Sequence, residues 1–176
     1  MSPQFYTAIR KILVWGVVLF LCAILQTTVF APLMPWGAVP DLMLAATTAI
    51  AIFDSERAGA VAGIAAGVMI GALGGTGFNA LPLVYMLCGY LFGIWSTMSL
   101  SANLPSWFVY ILTGAAVRAA VTLISVSLSY TAYSLLTVAA TVLLPDFAAT
   151  VLFSLIIYFP LRRIAQLFNR RLRMPE

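Results

Sequence analysis

Asp41, Arg118 and Asp146 are ionisable residues within or beside long apolar stretches, where a charge needs a structural or functional reason. A central arginine costs about 2.5–3.5 kcal/mol to insert into a membrane, so Arg118 should face protein or water rather than lipid. We predict a buried polar clamp formed by Arg118, Asp41 and Thr122, the last of which follows Arg118 by one helical turn. Asp146 and Gln26 are alternative partners for the guanidinium. A role on a transport path is the other interpretation, although a single charge makes a poor relay.

The residues needed for enzymatic chemistry do not form a recognisable set. The chain contains no histidine, which excludes imidazole catalysis and imidazole metal ligands. It has no Gly-x-Ser-x-Gly sequence and no cluster of metal-ligating residues. Asp41 and Asp146 lie near predicted helix ends, where a lone aspartate usually acts as a cap. We therefore expect a protein without catalytic residues, cofactor or metal.

Five glycines recur at intervals of four residues, and two more have the same interval in a later apolar stretch. At helical spacing they form a groove along one helix face, which lets another backbone approach closely. In lipid, this close contact replaces the hydrophobic driving force that packs soluble helices. The groove either packs against helices of the same bundle or receives a helix of another protein, and the two uses are compatible. The glycines are Gly59, Gly63, Gly67, Gly71 and Gly75, followed by Gly89 and Gly93.

The elements that position these residues are membrane helices, because the chain is too apolar for a soluble domain. Of its 176 residues, 63% are hydrophobic and 8% are charged, whereas soluble domains have about 45–50% apolar and about 25% charged residues. The net charge of +4 comes from basic residues that lie mostly near the two ends of the chain. No basic stripe of the kind that binds nucleic acid runs through the interior. The composition predicts an all-α, polytopic membrane helix bundle.

Apolar runs of about 20 residues define the predicted spans. Prolines at positions 32, 35 and 40 separate the first two spans, the charged cluster 54–57 ends the second, and a glycine-rich turn ends the third. The sequence leaves open whether 131–144 is a partial helix or a loop. We expect about six crossings, over residues 12–30, 42–53, 58–73, 80–98, 106–130 and from Pro145 to near Arg162.

The distribution of basic residues predicts the orientation in the membrane. If Lys11 lies in the cytoplasm, all eight basic residues outside the predicted spans do so too, as the positive-inside rule requires. We predict a single bundle over 1–165 in the bacterial inner membrane, with both termini cytoplasmic. The remaining residues, 166–176, form a basic tail that should attract anionic lipid. The loops assigned to the periplasm contain no Lys or Arg, and they are 31–40, 74–79 and 131–146.

Several short motifs together resemble the MreD family, the rod shape-determining membrane proteins of bacteria. The resemblance covers most of the chain, and the basic tail after Pro160 and Leu161 agrees with it. One departure is that many members carry an aspartate in the third span, whereas 58–80 contains no carboxylate here. A role for that aspartate therefore does not transfer to this chain. The motifs are Pro40-Asp41-Leu42, the glycine-rich third span, Gly77-Phe78-Asn79-Ala80-Leu81, Tyr85 and Gly89-Tyr90-Leu91.

The resemblance implies a non-enzymatic scaffold of the cell-elongation machinery that guides peptidoglycan synthesis through partner proteins. The implied direct partner is MreC, with the actin-like MreB and the peptidoglycan polymerase/transpeptidase pair as indirect partners. The family is also similar in fold to the substrate-binding subunits of energy-coupling-factor vitamin transporters. This similarity supplies an alternative function, the binding of a small, vitamin-like molecule for transport. Few polar and aromatic groups of the predicted outer loops look able to converge on such a ligand.

Overall fold

The structure is a computed structural model, and it describes residues 3–30, 32, 38–73, 80–98, 104–129 and 138–172. Within these residues the chain forms six α-helices that pack as one bundle, which confirms the predicted fold class. A π-helical turn, Leu25–Phe30, continues the first helix, and a second one, Ala139–Leu143, precedes the last. The helices are α1 (Pro3–Ile24), α2 (Leu42–Phe53), α3 (Glu56–Leu73), α4 (Leu81–Met98), α5 (Leu104–Ser129) and α6 (Leu144–Leu172).

Five of the six helices are long and apolar enough to cross a membrane. The exception is α2, whose 12 residues span only about 18 Å at 1.5 Å per residue. A hydrocarbon core is about 30 Å thick, so α2 alone falls short of a full crossing. The prediction of about six spans is thus refined to five full-length helices and one short apolar helix.

The short helix α2 occupies the centre of the bundle. Every residue from Leu42 to Ala51 is buried, and α2 contacts α1, α3, α4, α5 and α6. Its sequence is apolar on all sides, which is typical of a helix surrounded by others. Its two central polar residues, Thr47 and Thr48, donate their hydroxyl hydrogen bonds to main-chain carbonyls one turn earlier. No side chain of α2 therefore brings an unsatisfied hydroxyl into the core.

Helices that follow one another in the chain run in opposite directions. At one end, Lys11 of α1 lies 2.6 Å from Asp54, which follows α2, and Phe53 packs against Tyr158 of α6. We call this the basic end, because Arg162 also lies there, with its guanidinium 5.7 Å from the Tyr158 ring centre. At the other end, the α2 N-terminus meets the C-terminal part of α1 and the first turns of α6. The start of α1 and the end of α6 therefore lie at the same end of the bundle.

The last helix is longer than predicted. Helix α6 contains Pro160 and continues past Arg162, where the last membrane span was predicted to end, to Leu172. A proline is tolerated in a membrane helix because neighbouring groups can satisfy the freed carbonyl. Most of the segment predicted as a tail is thus helical up to residue 172. Of the segment left open at 131–144, residues 139–143 are helical, and 130–137 lie outside the described residues.

Candidate functional site: a polar clamp, a glycine seam and a cavity

The polar clamp is centred on the side chain of Asp41, which is completely buried at the N-terminus of α2. Its Oδ1 atom accepts a hydrogen bond from the Leu44 amide at 3.0 Å, so the aspartate is the N-cap of α2. Its Oδ2 atom accepts a 2.7 Å hydrogen bond from the Tyr85 hydroxyl and lies 3.1 Å from Nη1 of Arg118. One carboxylate therefore joins α2 to α4 and α5.

The N-terminus of α2 is also capped from α1. The first amides of a helix lack intrahelical acceptors, and leaving them unpaired in a membrane interior costs free energy. Oε1 of Gln26 accepts from the Leu42 amide at 3.0 Å and from the Met43 amide at 3.3 Å. Gln26 is 4% exposed, so this capping is shielded from water. The polar side chain that we considered as a partner for Arg118 serves α2 instead.

Helix α6 holds the extended residues just before α2. The Asp41 amide donates to Oγ1 of Thr150 at 2.9 Å, and the Val39 amide donates to Oδ1 of Asp146 at 2.8 Å. The Thr150 hydroxyl in turn donates to the Asp146 carbonyl at 2.7 Å. With the contacts from α1, α4 and α5, this places side chains of four helices around the start of α2. We call this region of the bundle the clamp end.

Two of the three predicted clamp residues meet in the structure. Arg118 pairs with Asp41 rather than with Asp146 or Gln26. Thr122 shares the face of Arg118, but its hydroxyl donates to the Arg118 carbonyl of its own helix at 3.0 Å. Such a bond satisfies the hydroxyl locally and adds no link between helices. Thr122 is therefore part of the cavity wall described below and does not hold the carboxylate.

The glycine seam is the contact between α3 and α4, which run antiparallel. A methyl group added at Gly63 would overlap the main chain of Tyr85, and one added at Gly67 would overlap the main chain of Pro82. At Gly59 the added carbon would lie 2.8 Å from the Gly89 carbonyl oxygen, and at Gly93 it would meet Glu56. These glycines are thus filled by the bundle itself, which leaves no room for a foreign helix between α3 and α4.

The glycine series does not behave uniformly along α3. Gly71 has the same spacing as the others, yet an added methyl group there meets nothing within 4 Å. Gly75 lies outside the described residues. The seam therefore runs from Gly59 to Gly67 on α3 and is completed by Gly89 and Gly93 on α4.

A small cavity lies between α5 and the first turns of α6, next to the clamp. Its volume is about 70 Å³, which is several times the roughly 10–15 Å³ needed for one water molecule. Arg118 and Asp146 both line it, so it carries one positive and one negative group. The other lining residues are Ala115, Ala119, Thr122, Val142, Leu143, Phe147 and Thr150.

No protein-family model matches this chain. No curated protein and no solved structure is similar to it at a significant level. The resemblance to the MreD family therefore rests on the motifs quoted above.

The arrangement at the clamp end can hold charge and bind polar groups. Arg118 has five N–H donors, and Asp41 already uses its Oδ1 atom on the Leu44 amide, so the carboxylate cannot satisfy them all. Among the residues that the structure describes, the Asp146 carboxylate accepts one hydrogen bond, from the Val39 amide to Oδ1, so it retains acceptor capacity beside the cavity. Within the described residues, no group of three or more His, Cys, Asp or Glu side chains is placed to hold a metal ion.

Three further residues hold the start of α2, and the sequence pattern does not predict this role for them. Tyr85 is predicted only as part of a motif and Gln26 only as a partner for the arginine, while no pattern singles out Thr150. The signal that each offers is a hydrogen-bonding side chain within an apolar run, which in a membrane helix needs a partner. That signal identifies candidates, but the register between helices decides which of them meet.

Proposed function

We propose that this protein is a non-enzymatic membrane scaffold of the MreD type, which acts in the cell-elongation machinery of a bacterial inner membrane. MreC is the proposed direct partner. MreB and the peptidoglycan polymerase/transpeptidase pair are reached indirectly, through the assembled complex. In this role the bundle holds partner proteins in position and carries out no chemical step.

The observation that carries this proposal is a contact between two of the motifs on which the resemblance rests, the one with Asp41 and the one with Tyr85. Asp41, from the Pro40-Asp41-Leu42 segment, accepts the hydroxyl hydrogen bond of Tyr85 in the segment that follows the third span. Gly89, four residues after Tyr85, packs against the main chain of Gly59 in the glycine-rich helix. The motifs that lie within the described residues therefore form one structural unit, as expected if they mark a shared fold.

The use of the polar groups also supports a scaffold. The Asp41 carboxylate caps α2, accepts a hydrogen bond from Tyr85 and pairs with Arg118. These contacts fix three helices relative to each other. Because the glycine seam is filled internally, a partner helix has to bind to an outward-facing side of the long helices. Helix α1 has such an apolar, exposed side with Val17 and Phe20. Helix α5 has one with Leu112 and Val117.

The alternative of a vitamin-sized ligand is less well supported. Sites for such ligands have volumes of about 300–1,000 Å³, whereas the cavity at Arg118 measures about 70 Å³. Mass spectrometry of the protein purified in mild detergent tests this alternative directly. A stoichiometric vitamin-like molecule in the sample would favour transport over the scaffold.

The test of the scaffold is co-purification with MreC. The tagged protein should retain co-expressed MreC in detergent, and its depletion should turn rod-shaped cells round. Gly67→Leu should abolish both folding and MreC retention, because Gly67 packs against Pro82 inside the bundle, whereas Gly71→Leu should preserve both. Absence of MreC from the purified wild-type protein, with unchanged cell shape on depletion, would refute the proposal.

The proposed orientation puts both termini in the cytoplasm. The basic end of the bundle then faces the cytoplasm, in agreement with the positive-inside rule. In a background without Cys22 and Cys88, an impermeant thiol reagent applied from the periplasm should modify a cysteine placed in 74–79. The same reagent should leave a cysteine placed after Arg170 unmodified. Labelling of the tail site from outside would reverse the assignment.

A further inference from the structure

We propose that the cavity between α5 and α6 binds a small zwitterionic group, an ammonium joined to a phosphate or carboxylate, and that its source is a phosphatidylethanolamine headgroup. The anionic part would contact Arg118, and the ammonium would contact Asp146. This site is independent of the scaffold function proposed above.

The charges that line the cavity favour a zwitterion over a simple anion. Arg118 offers N–H donors that Asp41 cannot all satisfy, and a guanidinium suits phosphate and carboxylate oxygens. Asp146 offers a carboxylate that uses one oxygen on the Val39 amide and has further acceptor sites. Asp41, Asp146 and Arg118 together carry two negative charges and one positive charge, so a bare anion would add to an existing negative excess. A ligand with one negative and one positive group can pair with both Arg118 and Asp146.

The two hydroxyl groups of the cavity wall already form hydrogen bonds within the protein. Thr122 donates to the Arg118 carbonyl, and Thr150 donates to the Asp146 carbonyl while accepting from the Asp41 amide. Both hydroxyls are therefore committed to the protein. The charged side chains Arg118 and Asp146 remain as the groups with spare hydrogen-bonding capacity, and these are the two that a zwitterion needs.

The size of the cavity favours a lipid headgroup over a complete solute molecule. A volume of about 70 Å³ holds only the polar atoms that contact Arg118 and Asp146, and it lies far below that of a typical small-molecule site. The rest of the ligand must remain outside. The cavity lies between two membrane helices with exposed apolar side chains at its edge, such as Val142, which lines it, and Leu144 at the start of α6. Acyl chains fit beside these residues, whereas a soluble zwitterion would gain nothing from them.

Native mass spectrometry of the purified protein, equilibrated with equal amounts of phosphatidylethanolamine, phosphatidylcholine and phosphatidylglycerol, tests the proposal. The wild-type protein should retain phosphatidylethanolamine about tenfold more than the other two lipids, which corresponds to about 1.4 kcal/mol. The choline headgroup lacks ammonium N–H donors, and the glycerol headgroup lacks the ammonium altogether. Equal retention of all three lipids would overturn the lipid assignment.

Two variants and one matched control locate the binding. Ala119→Leu fills the cavity from α5, while Ala120→Leu adds the same side chain at an exposed neighbouring position. Asp146→Asn removes the charge but keeps Oδ1 as an acceptor for the Val39 amide, so it tests the ammonium contact even if Ala119→Leu folds poorly. Selectivity should be lost in Ala119→Leu and Asp146→Asn and kept in Ala120→Leu. Equal losses in Ala119→Leu and Ala120→Leu, or full selectivity in Asp146→Asn, would refute the site.

A second arm separates the lipid from a free solute with the same chemistry. Glycine and O-phosphoethanolamine, added at millimolar concentration to delipidated protein, should leave the unfolding temperature unchanged if acyl chains are required. A rise in the wild type that is absent in Ala119→Leu would assign the zwitterion site to a soluble ligand. If neither these solutes nor phosphatidylethanolamine is selected, the cavity has no such ligand and the proposal fails.

Discussion

Two helix pairs in this bundle solve the same packing problem in opposite ways. Helices α3 and α4 touch main chain to main chain, because Gly59, Gly63 and Gly67 on α3 lie against α4. Gly89 and Gly93 on α4 lie against α3 in the same way. Helices α5 and α6 also contact at the basic end, where the Trp107 and Tyr158 rings lie 5.2 Å apart, but a cavity separates them near Arg118. In lipid, van der Waals contact stabilises the first pair, whereas the second keeps space for charged groups.

The α3–α4 interface is therefore suited to holding helices rigidly, and the α5–α6 interface is suited to binding polar groups. In the α3–α4 seam, Gly63 and Gly67 lie against main-chain atoms of the facing helix, and this tight fit makes the seam intolerant of any added atom. The α5–α6 gap has an arginine and an aspartate beside a void, and it should tolerate small changes in volume. We therefore expect substitutions at the seam to affect stability first, and substitutions at the gap to affect ligand binding first.

The largest effect is expected for Gly63→Leu in the seam. The side chain would overlap the Tyr85 main chain, which cannot move without separating α3 from α4. Overpacking of this kind should cost about 3 kcal/mol or more. Thermal unfolding in detergent should show a large loss of stability, with Gly71→Leu as the control on the same helix. If Gly63→Leu and Gly71→Leu unfold at the same temperature, the seam does not have the tight fit described here.

A smaller loss is expected for Arg118→Leu at the clamp. It leaves the Asp41 carboxylate buried without its positive partner, a change that costs about 3–5 kcal/mol for a fully buried pair. Because 22% of the Arg118 side chain is exposed, we expect about 2–3 kcal/mol here. Arg118→Lys should recover part of the loss, since an ammonium restores the charge with fewer donors. If chemical unfolding gives Arg118→Leu the same stability as the wild type, the Arg118–Asp41 pair does not stabilise the fold.

Tyr85→Phe should have a modest effect because it removes one hydrogen bond and keeps the packing. The lost bond joins the Tyr85 hydroxyl to Oδ2 of Asp41, and interhelical hydrogen bonds in membrane proteins contribute about 0.6 kcal/mol on average and about 1.7 kcal/mol at most. Hydrogen exchange should show faster opening at the Leu44 amide, which Asp41 caps. Tyr90→Phe, at a 44% exposed position on the same helix, is the control. Equal exchange in both variants would contradict a structural role for this hydroxyl.

The smallest effect is expected for Lys11→Met at the basic end. The Lys11–Asp54 pair is short at 2.6 Å, but both side chains are more than a fifth exposed. Exposed pairs typically contribute about 0–1 kcal/mol and weaken with salt. The variant should therefore unfold within a few degrees of the wild type, and the difference should shrink at high salt. A large, salt-independent loss would mean that this end is held as firmly as the clamp.

Much of the helix arrangement could be predicted from the sequence, because membrane helices have a strong apolar signal. The predicted bounds of the second span, 42–53, are those of α2, since Pro40 precedes it and a charged cluster follows it. The continuation of the last helix beyond its span could not be predicted, because Pro160 and the arginines after it look like a boundary and are tolerated inside α6. Local signals mark where a helix begins more reliably than where a long one continues.

The clamp was only partly predictable for a different reason. Arg118 needed a partner, and its cost in lipid made that clear from the sequence alone. The choice of Asp41 over Asp146 and Gln26 depends on the register of four helices, which no local pattern encodes. Thr122 shows the same limit, because sharing a helix face with Arg118 did not bring its hydroxyl to the carboxylate.

The hydrogen bond between the Asp41 amide and Thr150 also constrains how the protein is made. The two residues are 109 positions apart, and a ribosome that adds about 5–20 residues per second needs about 5–20 s to cover that distance. During this time α2 has been synthesised and Gln26 of α1 can cap it, but the Asp41 amide lacks its acceptor on α6. The contacts that α6 makes with the start of the central helix are therefore among the last to form, and a nascent chain stalled before α6 would meet insertion factors and proteases without them.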